Sequence, residues 1–149
     1  MLRDRSLVPL SHQHHNALAL CVLTERSLGE DSGEANVHRL ALRILDRFEI
    51  ELTNHFTLEE ELLFPALREA GIEEPVVRLI GEHRQLEEMV GSIRRAPTSA
   101  LLTEFTALLR RHVRSEENEL FEEAQRHLPR ETLDALGQEL DARVVRVCL

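Results

Sequence analysis

The sequence contains no tryptophan and no tyrosine among its 149 residues, so it lacks the side chains most often used as radical relays beside redox metals. Glycine, with six copies, and proline, with five, are also scarce. Because these two residues interrupt regular structure, their scarcity beside abundant Leu, Ala, Glu and Arg favours helix throughout the chain.

Cysteine is almost absent, with only Cys21 and Cys148. Two thiols so far apart do not make a disulfide framework, and Cys21 falls in an apolar helical stripe, where a thiol behaves as a small hydrophobe. We therefore expect a reducing, cytoplasmic location. The charged residues 1–6 are not followed by a long apolar run, so we expect neither a signal peptide nor a membrane span.

Basic residues are outnumbered, since 18 Lys and Arg face 27 Asp and Glu for a formal charge of −9. Nucleic-acid binders usually present a basic face, so we expect no nucleic-acid partner. The length and the mass of 17.1 kDa fit one domain over residues 1–149, large enough for a hydrophobic core.

Apolar periodicity and helix-stop residues predict four long helices and a short fifth one. The first runs from Pro9 or Ser11 to Leu28, and the others cover about 35–70, 75–96, 99–127 and 129–146. Pro65 should kink the second helix or end its regular part. Long amphipathic helices with short connections predict an all-α fold, an antiparallel up-down-up-down four-helix bundle whose fifth helix covers it or forms a dimer contact.

Residues 54–65 hold the most informative motif. There His55 and Glu59 lie four residues apart in a strongly helical stretch, so one helical face carries both. Both positions fall within the apolar stripe of that helix. Because an ionised carboxylate is costly to bury unless it is paired or bound to a cation, the motif indicates a metal site.

The same motif recurs in the fourth helix as His112 and Glu116, again within an apolar stripe. A second glutamate follows each time, as Glu60 and Glu117. We expect these two residues on the solvated surface or as acceptors that orient ligating imidazoles. Two buried His/Glu pairs on separate helices are difficult to explain as core packing.

The first and third helices each add one histidine to an apolar stripe. His14 takes a position where leucine would be expected, although His15, rotated by about 100° around the helix, remains the alternative. His83 interrupts the apolar stripe of the third helix. The other histidines, His12, His38 and His127, are expected at exposed positions.

One core histidine in each helix and two carboxylates suffice for a dinuclear metal centre. Imidazole and carboxylate together suit Fe, Zn, Mn or Cu. Two divalent ions carry four positive charges, which Glu59, Glu116 and one solvent hydroxide would reduce to about one. This balance favours two metals over one.

On these residues the chain resembles the hemerythrin-like, HHE cation-binding family. The pattern is His14, His55-x-x-x-Glu59, Glu82-His83 and His112-x-x-x-Glu116, with a Glu-Glu-x-Leu-Leu-Phe-Pro tail, over residues 7 to about 125. The resemblance implies a bundle that holds a non-haem di-iron centre with an oxo or hydroxo bridge. Its implied ligands are His14 and His55 for one iron, His83 and His112 for the other, and Glu59 and Glu116 for both.

One departure from the family pattern bears on function. Oxygen-carrying hemerythrins place a second histidine one turn from the third-helix ligand, where this chain has Leu79 and Glu87. The smaller ligand set argues against reversible oxygen storage. It favours an exogenous small molecule or an additional carboxylate, for which the candidates are Glu60, Glu82 and Glu87.

The resemblance therefore implies a di-iron protein that binds or senses oxygen, nitric oxide or peroxide. A di-iron enzyme of peroxide detoxification or iron-sulfur-centre repair is an alternative, and so is an iron-sensing regulatory module. Zinc or manganese could replace iron. We expect no membrane partner, and either a monomer or a homodimer formed through the apolar residues 144–149.

Overall fold

The computed structural model describes residues 1–147, and all regular structure in that range is helical, without a β-strand. Residues 148–149, part of the apolar end suggested for a dimer contact, lie outside the described range. Within it the helices are α1 (Val8–Glu30), α2 (residues 34–69), α3 (Glu74–Arg95), α4 (residues 99–127) and α5 (Arg130–Arg143). No helix of the described part is both long and apolar enough to span a membrane.

Helices α2 and α4 are unbroken, but both contain wide π turns, namely Phe48–Leu52, Glu59–Leu63 and Glu116–Leu120. In the last two, the carbonyl of the first glutamate accepts the N–H five residues later, from Phe64 and from Phe121. Single π turns occur frequently at functional sites. Each of these two begins at the glutamate of a His-x-x-x-Glu motif, so the sequence repeat is also a repeat of backbone geometry.

Helix α2 passes Pro65 and stops before Gly71. Pro65 follows directly after a π turn, where its missing N–H removes one helical hydrogen bond, so the expected interruption lies just before the proline. Gly71 has φ +90°. Its N–H donates to Arg68 O at 2.9 Å, and the N–H of Ile72 donates to Leu67 O, also at 2.9 Å. This is a Schellman arrangement, which favours glycine at the left-handed position.

Two helices differ in extent from the sequence prediction. Helix α1 begins at Val8, because Pro9 fits the first turn, where its missing N–H is not needed. The helix ends at Glu30. Helix α5 ends at Arg143 rather than near residue 146. There the side chain of Asn54 bonds to Arg143 O and to Val145 N–H, backbone groups that would otherwise continue the helix. The other expected bounds agree within one residue.

Two apolar clusters fill the interior, with a polar layer between them along α1 to α4. The upper cluster includes Leu20, Ile44, Leu86 and Leu109. The lower cluster includes Leu10, Leu63, Leu79, Leu120 and Leu136. On α1 and α3, the residue predicted to bind metal lies between the members of one cluster and those of the other. On α2 and α4, the predicted ligands lie where one cluster changes to the other, with Phe56, Leu58 and Val113 beside them.

Helix α5 closes the lower end of the molecule. Its buried residues Leu133, Leu136 and Leu140 belong to the lower cluster. Close approach to the start of the chain depends on Gly137, since a Cβ there would lie 2.9 Å from both Cα and Cβ of Ser6. Of the two roles expected for this helix, the structure shows the covering one.

Candidate metal centre

Six side chains meet in the polar layer between the two apolar clusters. They are the residues that the sequence predicted as ligands: His14, His55, Glu59, His83, His112 and Glu116. Their relative exposures range from 0 to 2%. Bulk water is therefore excluded from all six, although each carries a polar or ionisable group.

The six residues form two sets that share both glutamates. One set is His14, His55, Glu59 and Glu116, and the other is Glu59, His83, His112 and Glu116. Within each set, one nitrogen or oxygen atom per residue lies within 4.8 Å of all the others. The arrangement therefore offers two adjacent positions, each surrounded by two imidazoles and two carboxylates.

Glu59 reaches both positions with different oxygens. Its Oε1 lies 2.7 Å from His55 Nε2, and its Oε2 lies 3.0 Å from His83 Nε2. A carboxylate with one oxygen directed to each position has the arrangement of a bridging ligand.

Glu116 contacts the two remaining histidines. Its Oε1 lies 3.0 Å from His112 Nε2 and 3.2 Å from His14 Nε2. The two glutamates thus contact four imidazoles, one from each long helix.

Most of these inward atoms have no hydrogen-bond partner. Among the described residues, eight buried side-chain nitrogen or oxygen atoms lack one, and six of the eight belong to this centre. The six are Nε2 of His55, His83 and His112, both oxygens of Glu59, and Oε2 of Glu116. Of the short contacts above, only that of His14 Nε2 with Glu116 Oε1 has hydrogen-bond geometry, and the others lack it, as expected of atoms directed at a common space. Since a buried polar atom without a partner costs roughly 1–3 kcal/mol, the donor set fits cations.

The outward nitrogen of each histidine is fixed by an acceptor from another helix. Those acceptors contact Nδ1 as follows: Glu117 on His14 at 2.8 Å, Gln13 on His55 at 2.9 Å, Glu60 on His83 at 2.7 Å, and Glu82 on His112 at 2.8 Å. Because a carboxylate only accepts, Nδ1 carries the hydrogen. When the imidazole is neutral, its Nε2 then presents a lone pair to the centre, the usual arrangement for a ligating imidazole.

Three of these acceptors are glutamates, and an arginine accompanies each of them. Arg3 lies 2.8 Å from Glu117, Arg78 lies 3.3 Å from Glu82, and Arg84 pairs with Glu60. These ion pairs balance the charge of the glutamates on the outer side.

The fourth acceptor, Gln13, is neutral and connects the centre to the end of the chain. Its Nε2 donates to Asn54 Oδ1 at 2.9 Å and to Val145 O at 3.3 Å, which leaves its Oε1 for His55. Asn54 is itself fixed by its bonds to the backbone after α5. The orientation of the Gln13 amide is therefore determined by its partners.

Phenylalanine rings enclose the imidazoles. Phe56 stacks on His83 with ring centroids 3.9 Å apart, and Phe121 stacks on His14 at 5.2 Å. Phe56 also lines a cavity of about 210 Å³ between α2 and α3, beside Glu60. The rings keep the centre dry, and Phe56 borders both the centre and this cavity.

The comparison with known families follows the same residues. A family model described as the hemerythrin HHE cation binding domain matches residues 7–124. The chain belongs to this family. The match covers α1 to α3 and nearly all of α4, so every predicted ligand of this hemerythrin-family chain lies inside it.

Curated relatives of this hemerythrin-family chain exist in mycobacteria. Uncharacterized proteins of Mycobacterium bovis and of two strains of Mycobacterium tuberculosis are each 31% identical to it over 139 residues. The aligned region spans 89% of this chain and 81% of each relative. No solved structure matches the chain.

Ion pairing shifts the pKa values in this hemerythrin-like centre. Burial lowers the pKa of His112, but the carboxylates of Glu116 and Glu82 outweigh burial and raise it to about 10. Burial and Glu116 raise the pKa of Glu59, but His55 and His14 outweigh them and lower it to about 2. Without a cation, the imidazole of His112 therefore stays protonated at neutral pH, and a cation would have to displace that proton.

Of the neighbouring histidines of α1, His14 is buried in the centre and His15 is exposed. The candidates for an additional carboxylate ligand differ from the expectation. Glu60 and Glu82 bond to ligand imidazoles from outside, and Glu87 pairs with Arg84 instead. None of the three joins the inward set.

Sequence reasoning missed Gln13 and Glu51. Glu51 is buried one turn before His55, but its oxygens contact Asn16 at 2.8 Å and Arg47 at 3.4 Å rather than an imidazole. The usable signal for Gln13 was its position directly before His14, which matches the position of Glu82 before His83.

Proposed function

We propose that this chain is a non-haem di-iron protein that binds or senses a small molecule, namely oxygen, nitric oxide or a peroxide. The observation that carries the proposal is the set of six buried, inward atoms without hydrogen-bond partners. One ion would be held by His14 and His55 and the other by His83 and His112, with Glu59 and Glu116 shared.

The donor set supports iron. It consists of imidazole and carboxylate, which suit Fe, Mn and Zn, and the buried thiol of Cys21 belongs to the upper cluster rather than to the centre. Two imidazoles and two shared carboxylates leave coordination positions open on each ion. Iron would supply redox change and an open position for the small molecule.

The protein's own residues would control access and orientation. The four Nδ1 acceptors hold the imidazoles in place, so that Nε2 faces the centre before any ion binds. Phe56 and Phe121 exclude water from the ligand atoms, which limits side reactions. The cavity beside Phe56 has room for a diatomic molecule or a peroxide on the way in.

We also propose the antiparallel up-down-up-down order for the four long helices. In support, α1 and α3 pass from the lower cluster to the upper one, whereas α2 and α4 pass in the opposite sense. The connections between them are three or four residues long, as antiparallel neighbours require. A single domain, a cytoplasmic location and a monomeric or dimeric state complete the proposal, on the sequence grounds given above.

Anaerobic reconstitution with ferrous iron tests this function. Adding oxygen or nitric oxide to the loaded protein should produce a near-ultraviolet or visible band, easily seen because the chain lacks Trp and Tyr. His112→Ala should abolish the band, and His127→Ala, a change on the exposed surface, should retain it. Absence of any band from the loaded wild-type protein would refute the proposal. Sustained oxygen release from peroxide would instead identify the enzymatic alternative.

An iron-sensing module is the second candidate, favoured by the position of the centre between the two apolar clusters. Ions bound there would join all four long helices, and binding energy would become folding energy. Limited proteolysis of protein with and without iron distinguishes this role. Strong protection by iron supports it, and identical digestion rates would exclude it.

A further inference from the structure

The candidate centre has an approximate internal twofold relation. Glu60, the residue after Glu59, bonds to His83 of α3, and Glu117, the residue after Glu116, bonds to His14 of α1. The residue before His14 bonds in turn to His55 of α2, and the residue before His83 bonds to His112 of α4. Those two positions are occupied by Gln13 and Glu82, so the relation is broken at one pair of residues.

The difference between Gln13 and Glu82 makes the two metal positions electrostatically unequal. Two carboxylates, Glu60 and Glu82, support the His83/His112 position. The His14/His55 position has one carboxylate, Glu117, and the neutral amide of Gln13. A carboxylate on Nδ1 draws the proton outward and makes Nε2 a stronger donor than an amide acceptor does, and it adds negative charge near the cation.

The arginines increase the difference. Arg3, the partner of Glu117, is 18% exposed, whereas Arg78 and Arg84, the partners of Glu82 and Glu60, are 44% and 51% exposed. Solvent screens an exposed charge more than a buried one, so Arg3 offsets its glutamate the most. Arg3 also lies over the ring of Phe121, 5.2 Å from its centroid, on the same side of the centre.

Gln13 cannot be exchanged for a glutamate without consequences. Its amide N–H groups donate to two acceptors, Asn54 Oδ1 and Val145 O, and a carboxylate at this position could not donate to either. The neutral residue is therefore built into the contact between α1 and the segment after α5. The buried carboxylate of Glu51, bound to Asn16 and Arg47, does not contact His55 and does not replace the missing charge.

We propose that the two metal positions have unequal affinities and that the His83/His112 position binds its ion more tightly. The difference in affinity arises because His112 has the carboxylate of Glu82 as its Nδ1 acceptor, whereas His55 has the neutral amide of Gln13. This inference rests on the dinuclear function proposed above. Gln13 and Glu82 act here as positioning residues, through the imidazoles of His55 and His112. Changes of such partners typically alter metal affinity by about 10–100-fold, which is the separation expected between the two binding steps.

Stepwise titration of the metal-free full chain with Mn²⁺, followed by competition with a chromophoric chelator, tests the proposal. The wild-type protein should bind its first ion at least about tenfold more tightly than its second. Glu82→Gln should weaken the first step and bring the two affinities close together. Gln13→Glu should approach the same equality by strengthening the second step. Glu49→Gln, which removes an exposed carboxylate that pairs with Arg94 rather than with an arginine of the centre, should leave both steps unchanged.

The outcomes separate the two proposals. Equal affinities in the wild-type protein, or equal effects of Glu82→Gln on both steps, would overturn the ordering. One bound ion that Glu82→Gln weakens and Gln13→Glu leaves alone would uphold the ordering and refute the dinuclear function. No bound ion would refute both. If Gln13→Glu fails to fold because it disturbs the segment after α5, Glu82→Gln still decides, since the partners of Glu82 in the described structure are His112 and Arg78.

Discussion

His55 Nε2 lies 2.7 Å from Glu59 Oε1, yet neither atom has a hydrogen-bond partner in the described structure. A buried pair at this distance would normally form a good hydrogen bond. Here His55 donates its Nδ1 hydrogen to Gln13 instead, so a neutral His55 presents the lone pair of Nε2 to the same space as the carboxylate. This relationship is expected of two ligands of one cation.

Removing a ligand should remove metal. His55→Ala and Glu116→Ala each delete an inward donor, so both should reduce the metal content from two ions per chain to one or none. His127→Ala is the matched control, because His127 is exposed and pairs with Glu123, at 3.0 Å, outside the centre. Elemental analysis after gel filtration measures the result. Equal metal content in the ligand variants and the control would show that the assignment is wrong.

The stability of the metal-free protein should fall as the pH rises above about 6.5, whereas the stabilisation by metal should grow. The raised pKa of His112, about 10 against an ordinary 6.5, gives a contribution that is complete below pH 6.5 and is lost as the pH rises toward 10. The lowered pKa of Glu59, about 2 against 4.5, gives one that is complete above pH 4.5 and is lost as the pH falls toward 2. Metal-free protein should therefore be most stable between about pH 4.5 and 6.5.

Metal binding requires neutral imidazoles, so the stabilisation by metal should grow with pH and disappear on acidification. Urea unfolding of metal-free and Mn²⁺-loaded protein at pH 6.5, 7.5 and 8.5 compares the two cases. The free energy of unfolding should fall with pH in the first sample, and the difference between the samples should widen. A metal-free stability that rises over this range would contradict the ion-paired description of the centre.

Two glycines in helices should respond oppositely to alanine. At Gly81 in α3 a Cβ would meet nothing within 4 Å, so Gly81→Ala should stabilise the protein by roughly 0.5–1 kcal/mol. At Gly137 in α5 a Cβ would lie 2.9 Å from Cα and Cβ of Ser6. Overpacking of this kind costs roughly 1–3 kcal/mol and should outweigh the helix-propensity gain. Thermal unfolding of the two variants measures the change in stability that each substitution causes. Stabilisation by Gly137→Ala would refute the close packing of α5 on residue 6.

The thiol of Cys21 should be inert in the native protein. The side chain is fully buried, and burial raises its pKa to about 12. Since the thiolate is the reactive form, a Cys148→Ser variant should react with Ellman's reagent at least ~100-fold more slowly when folded than in urea. Similar rates in the two states would mean that the upper cluster opens readily.

The six residues that meet in the centre were predictable from sequence because their signal is local. His55 and Glu59 share a helical face through their spacing alone, and the apolar stripe of α1 selects His14 over the exposed His15. The helix ends at Gly71 and Pro97 were predictable for the same reason, since glycine and proline act on their own backbone.

The acceptors around the ligands were harder to predict because they come from other helices. Gln13 meets His55, and Glu60 meets His83, only after the bundle has formed. The π turns depend on tertiary packing as well, because residues 59–63 and 116–120 differ from an α-helix only by hydrogen bonds that reach one residue further. The early end of α5 likewise depends on Asn54, which lies 89 residues before Arg143.

The most direct measurement of the central claim is a crystal structure of the anaerobically iron-loaded protein with anomalous data at the iron edge. Two anomalous peaks should lie between Glu59 and Glu116, one beside His14 and His55 and the other beside His83 and His112. Fewer than two peaks in this layer, or peaks bound only by surface carboxylates, would contradict the assignment of a dinuclear centre.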